Sequence, residues 1–386
     1  MKFIGDIKDN LSQVDSQELE GLYSAIFPGK DSTGIYLVGE LGGRSLQGLK
    51  VGARPLSSLE NTRIYAVGDS LVPGENILKV MEYLGKVCDK SAYICVSGSG
   101  NSIGPYNDTK RLTESNENKK VSLNLITSSP DSKIGKILRE KNGNILKLNS
   151  RKSRLEKGQD YIVSGLLEDE FELGVTQLMK IVSDAVVNNI EPENLYGYYK
   201  RRLNDLEDTE STIERLKETV AHKNLLDGLE NPAINVISCG QGVCNEIAKM
   251  NNNRLGHIRP LTIQKIGLDA YSGLSIGANR NYVLGESSTP NINKNTVLIC
   301  ISQSGTGMVE EQIKKSKELC AEYYIITKEG DFPEENVLRI ESNNFYPDAC
   351  FLLSSTLMDL GIRLVEAGVE ISDEVLRRIH INDKLQ

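Results

Sequence analysis

Apolar residues in this chain gather into short, β-branched runs that stop at glycine or serine, each followed by a longer stretch with apolar residues at helical spacing. In the first half this pattern predicts a helix over 17–27, strands at 35–38, 63–67, 92–96, 121–127 and near 145–148, and a helix over 134–140. The second half repeats the order, with strands predicted at 234–238, 282–284, 296–301 and 323–327, and the two series line up at an offset of about 200 residues. Alternating strands and helices with glycines at the strand ends imply a parallel sheet covered on both faces, with ligands at the carboxyl ends of the strands. Two such α/β/α sandwiches are expected, over 1–190 and 232–386. Between them lies a segment over 191–231, rich in Glu, Lys, Arg and Leu, with apolar residues at Leu206, Ile213, Leu216 and Val220. It predicts a connecting helix or helical hairpin with a solvated charged face.

Length agrees with that division, since 386 residues suffice for two domains that each bury a core. A net charge of -8 argues against nucleic acid or an anionic membrane as the main partner. The first ten residues lack an apolar leader core, and no run approaches the roughly 18 to 20 apolar residues of a membrane helix. A soluble, cytoplasmic protein is therefore expected. The seven cysteines form no CxxC pair, so neither a zinc site nor a disulfide framework is expected, and Cys95 and Cys300 read as small core residues inside equivalent strands.

The chemistry is concentrated in one repeated loop. ICVSGSGNS at 94–102 and ICISQSGTG at 299–307 both carry an apolar strand into a turn of serines and glycines, with an amphipathic stretch after it. Hydroxyls and backbone N–H groups converging at a helix N-terminus suit a phosphate. The first copy offers Ser97, Ser99 and Ser102, with Gly100 closing the turn. The second keeps Ser302 and Ser304, but has Thr306 and Gly307 where the first has Asn101 and Ser102. There is no GxxxxGK[ST] loop, so a nucleoside triphosphate is not expected, and GELGGR and GQGVCN do not form a dinucleotide fingerprint.

Both loops resemble the S-x-S-G-x-[ST] signature of the sugar isomerase (SIS) family of phosphosugar-binding domains. The arrangement around them is similar to the 6-phospho-3-hexuloisomerase branch. The first half matches through Gly43, Arg44 and Ser45, VGDSLVP at 67–73, the serine loop, ITSS at 126–129, and Phe171 and Glu172 at the head of an apolar helix. Arg54 stands near the place of the family's arginine, but no histidine follows it. The second half matches through Gly240 and Gly242, then Arg254, Leu255, Gly256 and His257, then LGESSTP at 284–290. Pro347 falls there opposite Glu172, and an insertion near 262–281 precedes GESSTP.

The resemblance implies SIS-type sandwiches with flavodoxin-like parallel sheets. It also implies interconversion of a hexose or hexulose 6-phosphate through an enediol, with no metal or cofactor required. Arg44, Ser45, Ser97, Ser99, Gly100, Ser102, Ser302, Ser304 and Thr306 would hold the phosphosugar. Glu172 would act as the base and His257 as the ring-opening acid–base. Each half keeps only one of those two groups, which implies one composite site, and a homodimer is expected. Two other readings stay open: a non-catalytic phosphosugar sensor, and an amino-sugar phosphate isomerase or deaminase.

Overall fold

A computed structural model describes residues 2–39, 44–66, 77–115, 121–149, 169–231, 234–258 and 293–367. The chain divides into two compact units, the first reaching Leu206 and the second starting at Glu207. The predicted strand at 282–284 and the VGDSLVP and GESSTP segments lie outside the described residues. No described helix is long and apolar enough to cross a membrane.

The first unit runs α1 (Lys2–Ser12), α2 (Ser16–Ile26), β1 (Thr33–Val38), α3 (Arg44–Gly52), a 3-10 turn at Arg54–Ser58, β2 (Thr62–Ala66), α4 (Ile77–Val87) and β3 (Lys90–Val96). It continues through α5 (Ile103–Glu114), β4 (Val121–Thr127), α6 (Lys133–Glu140), β5 (Asn144–Lys147), α7 (Asp169–Val187) and α8 (Pro192–Arg202). Its strands are all parallel, in the order β2-β1-β3-β4-β5. Alternate residues serve opposite faces. Tyr36, Val38, Tyr93, Cys95, Leu123 and Leu125 pack with Ile77, Met81, Leu84, Leu112, Ile134 and Leu138 from α4, α5 and α6. On the other face, α2 and α3 lie against the sheet, and α7 packs on α3.

The second unit contains α9 (Asp205–Lys217), α10 (Val220–Glu230), β6 (Asn235–Gly240), α11 (Val243–Ile258), β7 (Thr296–Ile301), α12 (Met308–Glu318), β8 (Glu322–Thr327), β9 (Val337–Arg339) and α13 (Phe345–Glu366). Its described strands are parallel in the order β6-β7-β8-β9, the first unit's order without a strand beside β6 to match β2. Ile237, Cys239, Leu298, Cys300 and Ile325 pack with Val309 and Ile313 of α12.

The segment expected to be one helix or a hairpin is three helices, and they serve different units. α8 packs on α2 and α7, whereas α10 packs on α13. Val220, assigned above to an apolar stripe, is 60% exposed as the first residue of α10. Thr219 caps that helix by accepting from the His222 N–H at 3.2 Å.

His222 secures α10 to α13 and makes the packing acid-sensitive. The Thr356 hydroxyl donates to Leu352 O at 2.9 Å, so it accepts from His222 Nε2, 3.2 Å away. That network assigns the ring proton to Nε2 and leaves Nδ1 buried without a hydrogen-bond partner. Burial holds the imidazole down at about 4 instead of its ordinary 6.5, against the opposing pull of Asp359. Between those values the unfolded chain binds a proton that the folded side chain refuses. Stability is therefore expected to fall by up to about 3 kcal/mol as pH drops through this window, then to level off. Urea denaturation across the window should show that slope in the wild type and a flatter one in His222→Gln; an unchanged slope would assign it to other groups.

Candidate functional site

Strand order fixes where the first unit can bind a ligand. The chain leaves β1 toward β2 on one side and β3 on the other, so the loops after β1 and β3 part at a topological switch point, where open α/β sheets bind ligands. The serine loop at 97–102 is one of the two. Gly39, at the end of β1, marks how close the neighbouring elements come: a Cβ there would lie 2.7 Å from Leu46 Cβ and 3.1 Å from Val96 Cγ1.

The loop is held from within and from below. Ser97 N–H donates to Ile126 O at 3.1 Å, extending the β3–β4 ladder by one bond. Gly100 N–H donates to Ser97 Oγ at 3.1 Å. The turn demands φ +64 at Gly100, and a Cβ there would meet Ser132 Oγ at 2.0 Å, so glycine is required twice over. Ser97 Oγ and Ser102 Oγ, both buried, lie 3.1 Å apart. Asn101 ties the loop to the start of α6 by accepting from Lys133 N–H at 3.0 Å. α5 then begins, and Pro105 within its first turn removes an N–H that has no intrahelical partner at that position.

The head of α7, which carries Glu172, lies beside the loop. α7 crosses α3 at Gly48 and Gly52, where added Cβ atoms would meet Glu172 O at 2.8 Å and Thr176 O at 2.5 Å. This near contact of backbones fixes the head of α7. Phe171 Cδ1 lies 3.4 Å from where a Gly98 Cβ would stand, so the residue before Glu172 touches the serine loop. Glu172 itself is 8% exposed, and Ser45 at the start of α3 is equally buried. The first unit thus gathers Ser45, the serine loop and the head of α7 at the carboxyl edge of its sheet. The side chain of Arg44 lies outside the described residues. Arg54, exposed in the 3-10 turn, donates to the Ser57 hydroxyl.

The second unit keeps the turn and changes its contents. Ser302 N–H donates to Ile326 O at 3.0 Å, Gly305 N–H to Ser302 Oγ at 3.1 Å, and Gly305 has φ +70. Thr127 Oγ1 donates to Gly98 O at 3.2 Å in the first unit, and Thr327 Oγ1 to Gln303 O at 3.3 Å in the second. Each of these threonines is the last residue of its strand, and sequence alone gives neither hydroxyl this role in bracing the serine turn. Gly307 replaces Ser102 as the residue capping the following helix, so the buried hydroxyl pair is lost. Ser304 Oγ and Thr306 Oγ1 instead pair at 2.9 Å in an exposed position. Phe332, in place of Ser132, packs beneath Gly305.

α7 of the first unit and α13 of the second each carry a carboxylate near the head. Asp348 is the fourth residue of α13, as Glu172 is of α7. Asp348 is fully buried, accepts from Thr209 Oγ1 at 2.6 Å and from the Ser342 hydroxyl, and so anchors its helix. His257 belongs to α11, but its side chain lies outside the described residues, as does the insertion near 262–281. Arg254, one turn earlier on α11, is buried.

No protein-family model matches the sequence, and no curated protein matches it. Solved structures do match the fold. Tagatose-6-phosphate ketose/aldose isomerase from Escherichia coli aligns with TM-score 0.55 at 13% identity, covering 91% of this chain and 87% of that one. The C-terminal domain of glucosamine-fructose-6-phosphate aminotransferase from Francisella tularensis aligns with TM-score 0.53 at 10% identity, covering 93% and 95%. A protein from Salmonella typhimurium, provisionally named sugar-binding, aligns with TM-score 0.58 at 9% identity over 93% and 97%. The fold is the SIS fold. Identities this low carry architecture and not chemistry. Within the SIS frame, the two serine loops are equivalent turns, one between β3 and α5 and the other between β7 and α12, and the buried Ser97–Ser102 pair belongs to the first.

Proposed function

We propose that the chain is a phosphosugar isomerase acting on a hexose or hexulose 6-phosphate, of the aldose–ketose or ketose–ketose type. One observation carries the reading: the buried carboxylate of Glu172 heads a helix whose preceding residue touches the serine loop at Gly98. The hydroxyls of Ser97, Ser99 and Ser102 and the N-terminus of α5 receive the phosphate, helped by Arg44 and Ser45. Glu172 takes the proton from the hydroxyl-bearing carbon beside the carbonyl; the electron pair left behind forms the carbon–carbon double bond of the enediol as the carbonyl π pair moves onto its oxygen, which takes a proton while the neighbouring hydroxyl gives one up in the return step. Returning that proton to the neighbouring carbon completes the exchange. His257 serves ring opening, a role that rests on the R-L-x-H resemblance alone. The 6-phospho-3-hexuloisomerase branch is the finer assignment, resting on the motif order along the chain.

A second reading has its own support. With Asp348 engaged by Thr209 and Ser342, the second unit is suited to binding without turnover, as in a phosphosugar sensor. Thermal shift with fructose 6-phosphate and fructose tests the binding site common to both readings. The wild type should be stabilised by the phosphate ester only. Ser99→Ala should weaken binding of the ester by about tenfold, the worth of one hydrogen bond to a charged group, and leave fructose unaffected. Equal losses for both ligands would remove the phosphate-loop assignment.

A further inference from the structure

Two thiols face each other on neighbouring strands of the second sheet. Cys239 and Cys300 are register partners on β6 and β7, both wholly buried, with Cys239 Sγ 3.5 Å from Cys300 Sγ. The first unit places Val38 opposite Cys95 at the equivalent pair, so it has a thiol and no partner for it. Neighbouring strands stand about 4.8 Å apart, within the Cα separations of about 4.4–6.8 Å that a disulfide spans. The two sulfurs must close by roughly half their separation to bond. Gly240 follows Cys239 at once, and Ile301 alone separates Cys300 from Ser302. Movement of either strand end is therefore passed directly to the turns that open α11 and α12.

We propose that Cys239 and Cys300 are an oxidisable dithiol whose disulfide form disables the serine loop at 302–307. Its effect on ligand binding rests on the reading above in which the second unit binds a phosphosugar; its chemistry does not. With hydrogen peroxide as oxidant, one sulfur attacks the O–O bond, which breaks to give a sulfenic acid and one water. The other sulfur attacks the sulfenic sulfur, so that the S–S bond forms, the S–O bond breaks and a second water leaves. Both thiol hydrogens end in water, two cysteines are oxidised and the peroxide is reduced.

Burial sets when this happens. It holds Cys300 in the thiol form, well above its ordinary range, so the closed sheet is unreactive. Oxidation passes through local opening of the strand ends, and a ligand that holds the loops shut slows it. Linkage requires the reverse as well: a disulfide that distorts the loop lowers ligand affinity by the same coupling, on the order of tenfold. Cys320, the exposed cysteine, is the internal marker that peroxide has acted.

The experiment treats the full chain with hydrogen peroxide, alkylates remaining thiols after unfolding, and maps tryptic peptides by mass. Peptide 224–249 holds both Cys239 and Cys244, and peptide 295–314 holds Cys300, so fragment ions identify the joined residue. The expected product joins Cys239 to Cys300 and is absent from Cys239→Val, which copies the Val38–Cys95 pairing of the first unit, and from Cys300→Ala. Amides at 302–307 should exchange hydrogen faster in the oxidised protein, and fructose 6-phosphate affinity should drop about tenfold. Full alkylation of both cysteines while Cys320 is oxidised overturns the proposal, as does joining through Cys244. A disulfide that leaves exchange at 302–307 unchanged overturns the switch. Failure of the reduced protein to bind fructose 6-phosphate counts against the proposed function instead, with the exchange result still deciding the switch.

Discussion

Glu172→Gln is expected to lower turnover of the best-binding hexose or hexulose 6-phosphate by on the order of a thousandfold, the usual worth of a general base. Glutamine keeps the volume of a buried side chain at the head of α7, so far-UV circular dichroism and thermal stability should stay close to wild type. Since the phosphate is held by the serine loop and not by Glu172, KM should change little and the loss should appear in kcat. His257→Ala should be nearly as damaging with ring-closed substrate. A substrate supplied in its open-chain form should recover part of that loss and none of the loss in Glu172→Gln, which separates ring opening from proton transfer. Full activity in Glu172→Gln would eliminate the isomerase mechanism. Binding without turnover in the wild type would favour the sensor reading.

The two serine loops bear on the same question. They share a turn to within 0.1 Å in the bond from the central glycine N–H to the first serine hydroxyl, since both are 3.1 Å. What differs is what the turn presents. In the first unit two buried hydroxyls lie against each other beside Ser132, whereas in the second the hydroxyl pair is exposed and an aromatic ring fills the space below.

Much of the fold is legible in the chain because its central strands are buried on both faces. The run predicted at 296–301 is β7, TVLICI, buried throughout, and that at 121–127 is β4, VSLNLIT, buried from Leu123 onward. Edge elements are harder. β9 has only three residues, Val337–Arg339, and α1 hides Phe3, Ile4, Ile7 and Leu11, all buried, among lysines and aspartates. The breaks between α8, α9 and α10 fall at Leu203–Asn204 and Glu218–Thr219, with neither glycine nor proline to mark them. Tertiary packing onto two different units ends those helices. The serine loops are legible as loops, but the asymmetry between them rests on Ser132 and Phe332, about 30 residues downstream of their turns, which local pattern cannot connect.

Replacing Gly48 and Gly52 together with alanine should cost up to about 4 kcal/mol and also dislodge the base. Both glycines lie on the face of α3 that meets α7, four residues apart, and the signal for a close helix crossing stands in the sequence as GLKVG. An added Cβ would meet backbone: Glu172 O at 2.8 Å from position 48, and Thr176 O at 2.5 Å from position 52, with Met179 Cβ at 2.6 Å. Backbone cannot rotate out of the way, so α7 has to move as a body, and overpacking of this kind costs roughly 1–3 kcal/mol per site. Alanine's better helix propensity returns about 1 kcal/mol at each position and does not reverse the sign. Because Phe171 and Glu172 ride on α7, the displacement also shifts the carboxylate relative to the serine loop, and an error of 1 Å in a reacting group can cost about a hundredfold in rate. Urea denaturation gives the first quantity and kcat under conditions where the variant stays folded gives the second. Each single variant should fall between wild type and double. A double variant as stable as the wild type would mean that the two helices separate without cost, and Glu172 would then owe its position to something other than this crossing.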